Sequence, residues 1–131
     1  MMNKILFEPI GYIHSEYEDV NQMPKSSTES YDKTAELIVD EKYLESMSDI
    51  KKDEEYMIIF YFHKSEGFKQ KVRIRGTGPI TGLFSTHAPN RPNPIGVSTI
   101  KIKDVKDNII TFNGVDMLNN TPVLDIKKIF K

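Results

Sequence analysis

The sequence predicts an all-β fold, mainly a small closed or nearly closed β-barrel of about eight short strands with one short helix. Short segments rich in β-branched and aromatic residues recur along the chain, turn residues separate them, and helical spacing appears once. Strands and helices do not alternate, which argues against a doubly wound nucleotide-binding fold. The length of 131 residues fits one domain, 1–131.

The composition limits the possible chemistry. The chain has no cysteine, which excludes disulfides, thiolate zinc sites and a cysteine nucleophile. No apolar run approaches the roughly eighteen residues of a membrane span. The opening "MMNKILFEPIG" lacks the apolar core of a signal peptide, because Glu8 and Pro9 interrupt it. We therefore expect a cytoplasmic protein with no membrane partner.

The charge is small in total but unevenly distributed. A net charge of −1 excludes a general polyanion binder. Between Lys64 and Arg75, however, five lysines and arginines stand against one acid. Such a stripe either contacts phosphates locally or forms a solvated strand face.

The first half of the chain predicts two strands and the helix. Residues 5–13 predict a strand interrupted near Pro9–Gly11, and the polar residues 15–33 predict a long loop. After a short strand at 35–39, Asp40 caps a brief helix. Its apolar residues are three or four apart, at Tyr43, Leu44, Met47 and Ile50.

The second half predicts the remaining strands. The apolar run "YMIIFYFH" (56–63) predicts a central strand covered on both faces. In the segment "VSTIKIK" (97–103) apolar and polar residues alternate, which predicts a strand, and a turn at 106–108 joins it to a strand at 109–115. Shorter strands are predicted at 70–74, 80–86 and 123–126.

The stretch "STHAPNRPNPIG" (85–96) is the least ordinary feature of the sequence. Its three prolines fix their own φ, restrict the residues before them and cannot pair in a sheet. A rigid segment that presents polar side chains loses little entropy when it binds a ligand. The stretch is either a binding loop or a stiff loop at the barrel rim.

Other segments are weaker signals. "DMLNNTPVLDI" (116–126) combines a turn with a hydroxyl and two acids, and in "FHKSE" (62–66) an apolar strand ends in a histidine and a lysine. "RGTGP" (75–79) is a turn rather than a dinucleotide fingerprint, because no helix follows it. The three histidines lie in separate segments without metal-type spacing, so we predict no metal.

Four segments together resemble one family. "GLFSTHAPNRPNPIGVS" (82–98) is similar to the hallmark G-V-F-A-T-R-S-P-x-R-P-N-P-I-G of the TrmO family, also called the YaeB family. "DMLNNTPVLDIK" (116–127) resembles its D-x-L-D-G-T-P-V-L-D-I-K. "PIGYIHSEY" (9–17) resembles its opening P-I-G-x-I-x-S-P-Y, and "FYFHK" (60–64) its F-x-F-H. The resemblance covers nearly the whole chain, in order.

The resemblance implies a β-barrel that binds S-adenosylmethionine (SAM) without a Rossmann fold, and a homodimer with each pocket near the subunit interface. It implies a methyltransferase acting on N6 of threonylcarbamoyladenosine at tRNA position 37, next to the anticodon. The resemblance is to the short, archaeal-type form of the family, which lacks an extra C-terminal domain. The motifs carry SAM contacts over to Pro24, Lys25, Ser26, His63, Lys64, His87, Val97, Met117, Leu118, Asn119, Asn120 and Thr121.

The remaining roles are assigned by chemistry. A ureido nitrogen must lose a proton to accept a methyl group, and the candidate acceptors are His63, His87 and Asp116. An exposed base is expected to stack on Tyr12 or Phe68. The candidate RNA contacts are Lys64, Arg73, Arg75, Arg91 and Asn93.

Two departures and two alternatives accompany this reading. His14 and His87 stand where the family often carries arginine, and a histidine is mostly neutral at pH 7. The alternatives are a SAM-dependent methyltransferase for a small molecule or protein, and a SAM-binding module without catalytic activity.

Overall fold

The computed structural model describes residues 2–18 and 33–131, and eight strands lie within that part of the chain. They are β1 (Gly11–His14), β2 (Thr34–Val39), β3 (Glu55–Tyr61), β4 (Lys71–Arg73), β5 (Ile80–Gly82), β6 (Ile95–Lys106), β7 (Ile109–Asn113) and β8 (Pro122–Lys128). Six of them form a closed barrel in the order β1-β2-β7-β6-β3-β8, and β4 pairs only with β5. The barrel prediction is confirmed, with two of the eight strands outside the ring.

The barrel closes around a core supplied by alternate residues of each strand. In β6 the inward positions include Ile100 and Ile102, while the positions between them face outward. Ile58 of β3, Leu37 of β2 and Phe112 of β7 are fully buried beside them. The burial of these large apolar side chains is the main force that holds the ring together.

The predicted short helix is present between β2 and β3 as a 3₁₀ helix, Glu41–Met47. The carboxylate of Asp40 accepts a hydrogen bond from the backbone N–H of Lys42 (3.1 Å), as its predicted capping role requires. Met47 is buried and anchors the helix to the barrel. Within the described residues no helix is long and apolar enough to cross a bilayer.

Several predicted strand limits are wrong. The strand predicted at 5–13 begins only at Gly11, since no strand pairs with residues 2–10. The predicted strands 70–74 and 80–86 each shorten to three residues and run into 3₁₀ turns at Ile74–Gly76 and Leu83–Ser85. The predicted central strand 56–63 ends at Tyr61, and its outer face is only half-covered.

Connections between the strands divide between two rims. Every strand pair in the ring is antiparallel, so successive connections lie at opposite ends of the barrel. The β1–β2, β3–β6 and β7–β8 connections meet at one end, which we call the motif rim. The opposite end carries the 3₁₀ helix Glu41–Met47 and the turn between β6 and β7.

Candidate functional site

The predicted SAM contacts of the described chain belong to the motif rim or to the strand ends that enter it. Tyr12, one of the two residues predicted to stack on a base, instead lines a groove with Glu41 and Asn108 at the opposite end of the barrel. His63 and Lys64 follow β3, His87 lies in the β3–β6 connection, and Val97 is near the start of β6. The segment from Asp116 to Thr121 forms the β7–β8 connection. Three predicted contacts, Pro24, Lys25 and Ser26, lie outside the described residues.

Hydrogen bonds tie the rim connections together at Glu18. The ammonium of Lys64 donates to the backbone carbonyl of Glu18 (2.8 Å). The side-chain amide of Asn119 donates to the Glu18 carboxylate (3.0 Å). Lys64 and Asn119, which are 46 and 101 residues from Glu18 in sequence, therefore meet at this one residue.

The β7–β8 connection is held by its own turn and by β1. Asn120 has φ of 66°, a left-handed conformation that asparagine tolerates, and its N–H donates to the carbonyl of Ile13 (2.7 Å). The buried hydroxyl of Thr121 donates to the carbonyl of Leu118 (2.7 Å). Met117 and Leu118 are buried in the core, so only the backbone of these two residues could reach a ligand at the rim.

Sequence reasoning missed Ser15 as a partner of this turn. Its N–H donates to the side-chain oxygen of Asn119 (3.1 Å), and its hydroxyl donates to the carbonyl of Met117 (2.9 Å). The polar loop that begins near Ser15 gave no signal for a contact more than 100 residues away.

The proline segment is rigid, and Arg91 is its internal brace. One guanidinium nitrogen of Arg91 donates to the carbonyls of Thr86 (2.9 Å) and Ala88 (3.0 Å). The guanidinium also lies 5.9 Å from the ring centre of Phe84. The segment is fixed to the end of β3, because the N–H of Phe62 donates to the carbonyl of Pro94 (2.7 Å).

The two histidines of the site differ in environment. His63 is half-buried in the turn after β3, and burial, together with the nearby Lys64 cation, lowers its pKa below the usual 6.5. His63 is therefore mostly neutral at pH 7 and has a free lone pair for a proton. His87 is exposed on the proline segment.

A partly buried polar pair lies where β6 meets the β7–β8 connection. The hydroxyl of Ser98 donates to a carboxylate oxygen of Asp116 (2.6 Å), and burial raises the pKa of Asp116. Ser98 was not predicted as a site residue. The sequence signal that could have revealed it is its place in the alternation of β6. Ser98 faces inward, as Ile100 and Ile102 do, but it is polar.

The predicted RNA contacts fall into two groups. Arg73 and Arg75 are exposed on the β4–β5 hairpin, where Arg73 donates to the carbonyl of Gly78 (3.3 Å). Asn93 is exposed on the proline segment with Arg91, while Lys64 lies beside the Glu18 junction. Within the described residues, no cluster of three or more histidines and acids could hold a metal ion.

The rim offers the groups that SAM requires. A purine needs flat apolar surface, and Ile95 and Val97 are 37% and 50% exposed beside the β3 end. An amino-acid carboxylate needs a cation or N–H donors, and Lys64 provides the cation. A sulfonium is favoured near the carboxylate of Asp116. These residue types fit SAM.

Comparison with known proteins gives a consistent result. Residues 12–131 match the model of the tRNA-methyltransferase O N-terminal domain. The chain is 33% identical to a probable S-adenosyl-L-methionine-binding protein of Pyrococcus abyssi, over 94% of this chain and 67% of that one. It is also 33% identical to the human tRNA (adenine(37)-N6)-methyltransferase, over 94% of this chain and 30% of that enzyme.

A crystal structure of TrmO from Pseudomonas aeruginosa has a similar fold. It superposes with a TM-score of 0.82 at 25% identity and covers 98% of this chain and 57% of that one. The chain therefore spans just over half of the TrmO chain and under a third of the human enzyme.

Proposed function

The chain belongs to the tRNA-methyltransferase O N-terminal domain family, and on that premise we propose that it transfers a methyl group from SAM to adenosine 37 of tRNA. In the finer form of the proposal, the acceptor is N6 of threonylcarbamoyladenosine. The human relative is named for methylation of adenine 37 at N6, and the Pyrococcus relative for SAM binding.

One observation carries the proposal. The four sequence segments that define the family resemblance lie far apart in sequence, yet the antiparallel ring brings their polar ends to one rim. Binding sites concentrate on connections held by a rigid scaffold. A shared rim is what a pocket assembled from these segments requires.

We assign the SAM contacts to the rim residues and Lys64. Lys64 and the backbone of the turn at Asn119–Asn120 would bind the carboxylate of SAM, and Val97 would pack against its adenine. Pro24, Lys25, Ser26 and His87 remain further candidate contacts. When bound, SAM supplies a methyl group on an activated sulfonium, so positioning the acceptor accounts for most of the catalysis.

His63 is the proposed proton acceptor. It is mostly neutral at pH 7, half-buried, and adjacent to Lys64, whereas the Asp116 carboxylate is occupied by Ser98. The acceptor nitrogen would bond to the methyl carbon as the carbon–sulfur bond of SAM breaks and S-adenosylhomocysteine leaves. The proton of the nitrogen would pass to the imidazole of His63, which gives a neutral N-methyl ureido group. His87 and Asp116 are the alternative acceptors.

We also propose that the protein is a cytoplasmic homodimer. The support is an exposed apolar segment before β1, in which Met2, Ile5, Leu6 and Phe7 are each at least 65% exposed. Exposed apolar groups of this size mark interfaces in folded proteins. Light scattering after gel filtration distinguishes a dimer of 15.1 kDa chains from a monomer.

The test is nucleoside mass spectrometry of tRNA incubated with the protein and SAM. A methylated threonylcarbamoyladenosine supports the full proposal, and methylation of unmodified adenosine 37 supports only its coarser form. SAM binding in calorimetry without RNA methylation would favour a small-molecule or protein substrate, or a SAM-binding module. Absence of SAM binding would overturn the proposal.

A further inference from the structure

The β3–β6 connection carries an excess of positive charge, with Glu66 as its one acid. Residues 67–94 contain five lysines and arginines and no aspartate or glutamate, in a chain whose net charge is −1. Among the described residues, the ion pairs that the structure forms involve cations outside this segment. Positive charge concentrated in one connection attracts anionic partners.

The β4–β5 hairpin places part of this charge on one face. Lys71 and Arg73 are two residues apart in β4, so their side chains lie on the same face, about 7 Å apart along the strand. Together with Lys69 they line a shallow groove of about 320 Å³, to which the exposed Ile80, paired with Arg73, adds apolar surface. The groove thus combines cations with apolar surface.

Exposed aromatic rings flank the hairpin. Phe68 precedes β4 and is 47% exposed, and Phe84 follows β5 and is 80% exposed. Aromatic rings next to cations are typical of proteins that bind single-stranded nucleic acid, because unpaired bases stack on the rings while the cations contact phosphates.

We propose that the β4–β5 hairpin, with Lys69, Phe68 and Phe84 at its base, is a docking surface for single-stranded RNA. Its lysines and arginines contact phosphates, and its aromatic rings stack with unpaired bases. The hairpin belongs to a connection that leaves and re-enters the barrel at the motif rim, where the candidate SAM site lies. The inference rests on the proposed function for its choice of RNA as the partner.

The test compares two double variants in RNA binding. Lys69→Ala/Lys71→Ala removes two exposed groove cations, and Lys51→Ala/Lys52→Ala removes two exposed lysines near the opposite rim as a matched control. Affinity for a fluorescent RNA stem-loop is measured between 0.05 and 0.3 M salt. The stem-loop carries the anticodon-loop sequence of a tRNA.

The expected result follows from counterion release. Each lost phosphate contact lowers the slope of log affinity against log salt by about 0.7 for single-stranded RNA. The groove variant should therefore lose about 1.4 in slope and, at 0.1 M salt, about 25-fold in affinity. The control variant should match the parent protein, and all three should bind SAM equally in calorimetry.

Each outcome separates the hairpin from the methyl transfer. Equal slopes for the groove and control variants would overturn the docking surface and leave the proposed function standing. Slope loss in a protein that methylates no tRNA would overturn the proposed function and retain the surface. Groove-dependent binding to vesicles containing phosphatidylserine, without groove-dependent RNA binding, would overturn the surface in favour of a membrane partner.

Discussion

Gly96 provides a sensitive test of packing at the motif rim. A Cβ atom at this position would lie 2.5 Å from Cζ of Phe60 and 2.6 Å from Cζ of Phe62. The two rings pack edge to face, with centres 5.0 Å apart, and Phe60 is buried in the core, so neither ring can move away freely. Overpacking of this kind costs about 1–3 kcal/mol. Loss of glycine flexibility in the unfolded chain offsets about 0.4–1 kcal/mol.

Gly96→Ala should therefore destabilise the fold by about 1–2 kcal/mol. For a chain of 131 residues the unfolding entropy is about 0.28 kcal/mol/K, so Tm should fall by about 4–7 °C in calorimetry. Because Phe62 precedes His63, SAM affinity should also fall.

Gly82→Ala is the matched control for this substitution. A Cβ atom at Gly82 would meet nothing within 4 Å, and its φ is −56°. Its Tm should be unchanged or higher by up to about 3 °C. If both variants melted within about 1 °C of each other, the tight packing of Gly96 against the two rings would be refuted.

Three further predictions concern charged groups of the site. Burial raises the pKa of Asp116, so the folded state holds the proton more tightly, and the stability of the fold should fall as pH rises from about 4 through that raised pKa. Asp116→Asn should flatten this part of the plot of urea midpoint against pH, and parallel plots for variant and parent would contradict the assignment. His63→Gln should lower the methyl-transfer rate at least about 100-fold and remove the acidic limb of the rate–pH profile, which lies below pH 6.5 in the parent protein. An unchanged acidic limb would exclude His63 as the proton acceptor. His87→Arg should retain or tighten SAM binding in calorimetry, since it adds a permanent cation at an exposed position, and a clear loss would show that the histidine has another role.

The strands of the barrel were predictable because the sequence signals for a strand depend on neighbouring residues alone. Alternation in β6 and the apolar run of β3 each place a strand within a few residues of its true limits. The failure at residues 5–10 has a different cause, because whether a strand-like segment pairs depends on a partner elsewhere in the fold. Pairing begins at Gly11, opposite Val39, and the two strands approach so closely there that a Cβ on Gly11 would lie 2.4 Å from the carbonyl oxygen of Ile38.

The site was predictable in its segments but not in its contacts. The motifs placed Lys64 and Asn119 in the site, yet their meeting at Glu18 depends on how the ring closes. Arg91 illustrates the same limit. As an arginine in an exposed-looking loop it predicted an RNA contact, whereas much of its hydrogen bonding holds the proline segment together.

Transfer of a labelled methyl group from SAM would show directly whether the protein methylates adenosine 37. SAM with a deuterated methyl group is incubated with the protein and tRNA that carries threonylcarbamoyladenosine. The nucleosides are then separated and analysed by mass spectrometry. We expect one labelled methyl group on the threonylcarbamoyladenosine of position 37, and none when heat-denatured protein is used. Unlabelled nucleosides from tRNA incubated with folded, SAM-binding protein would contradict it.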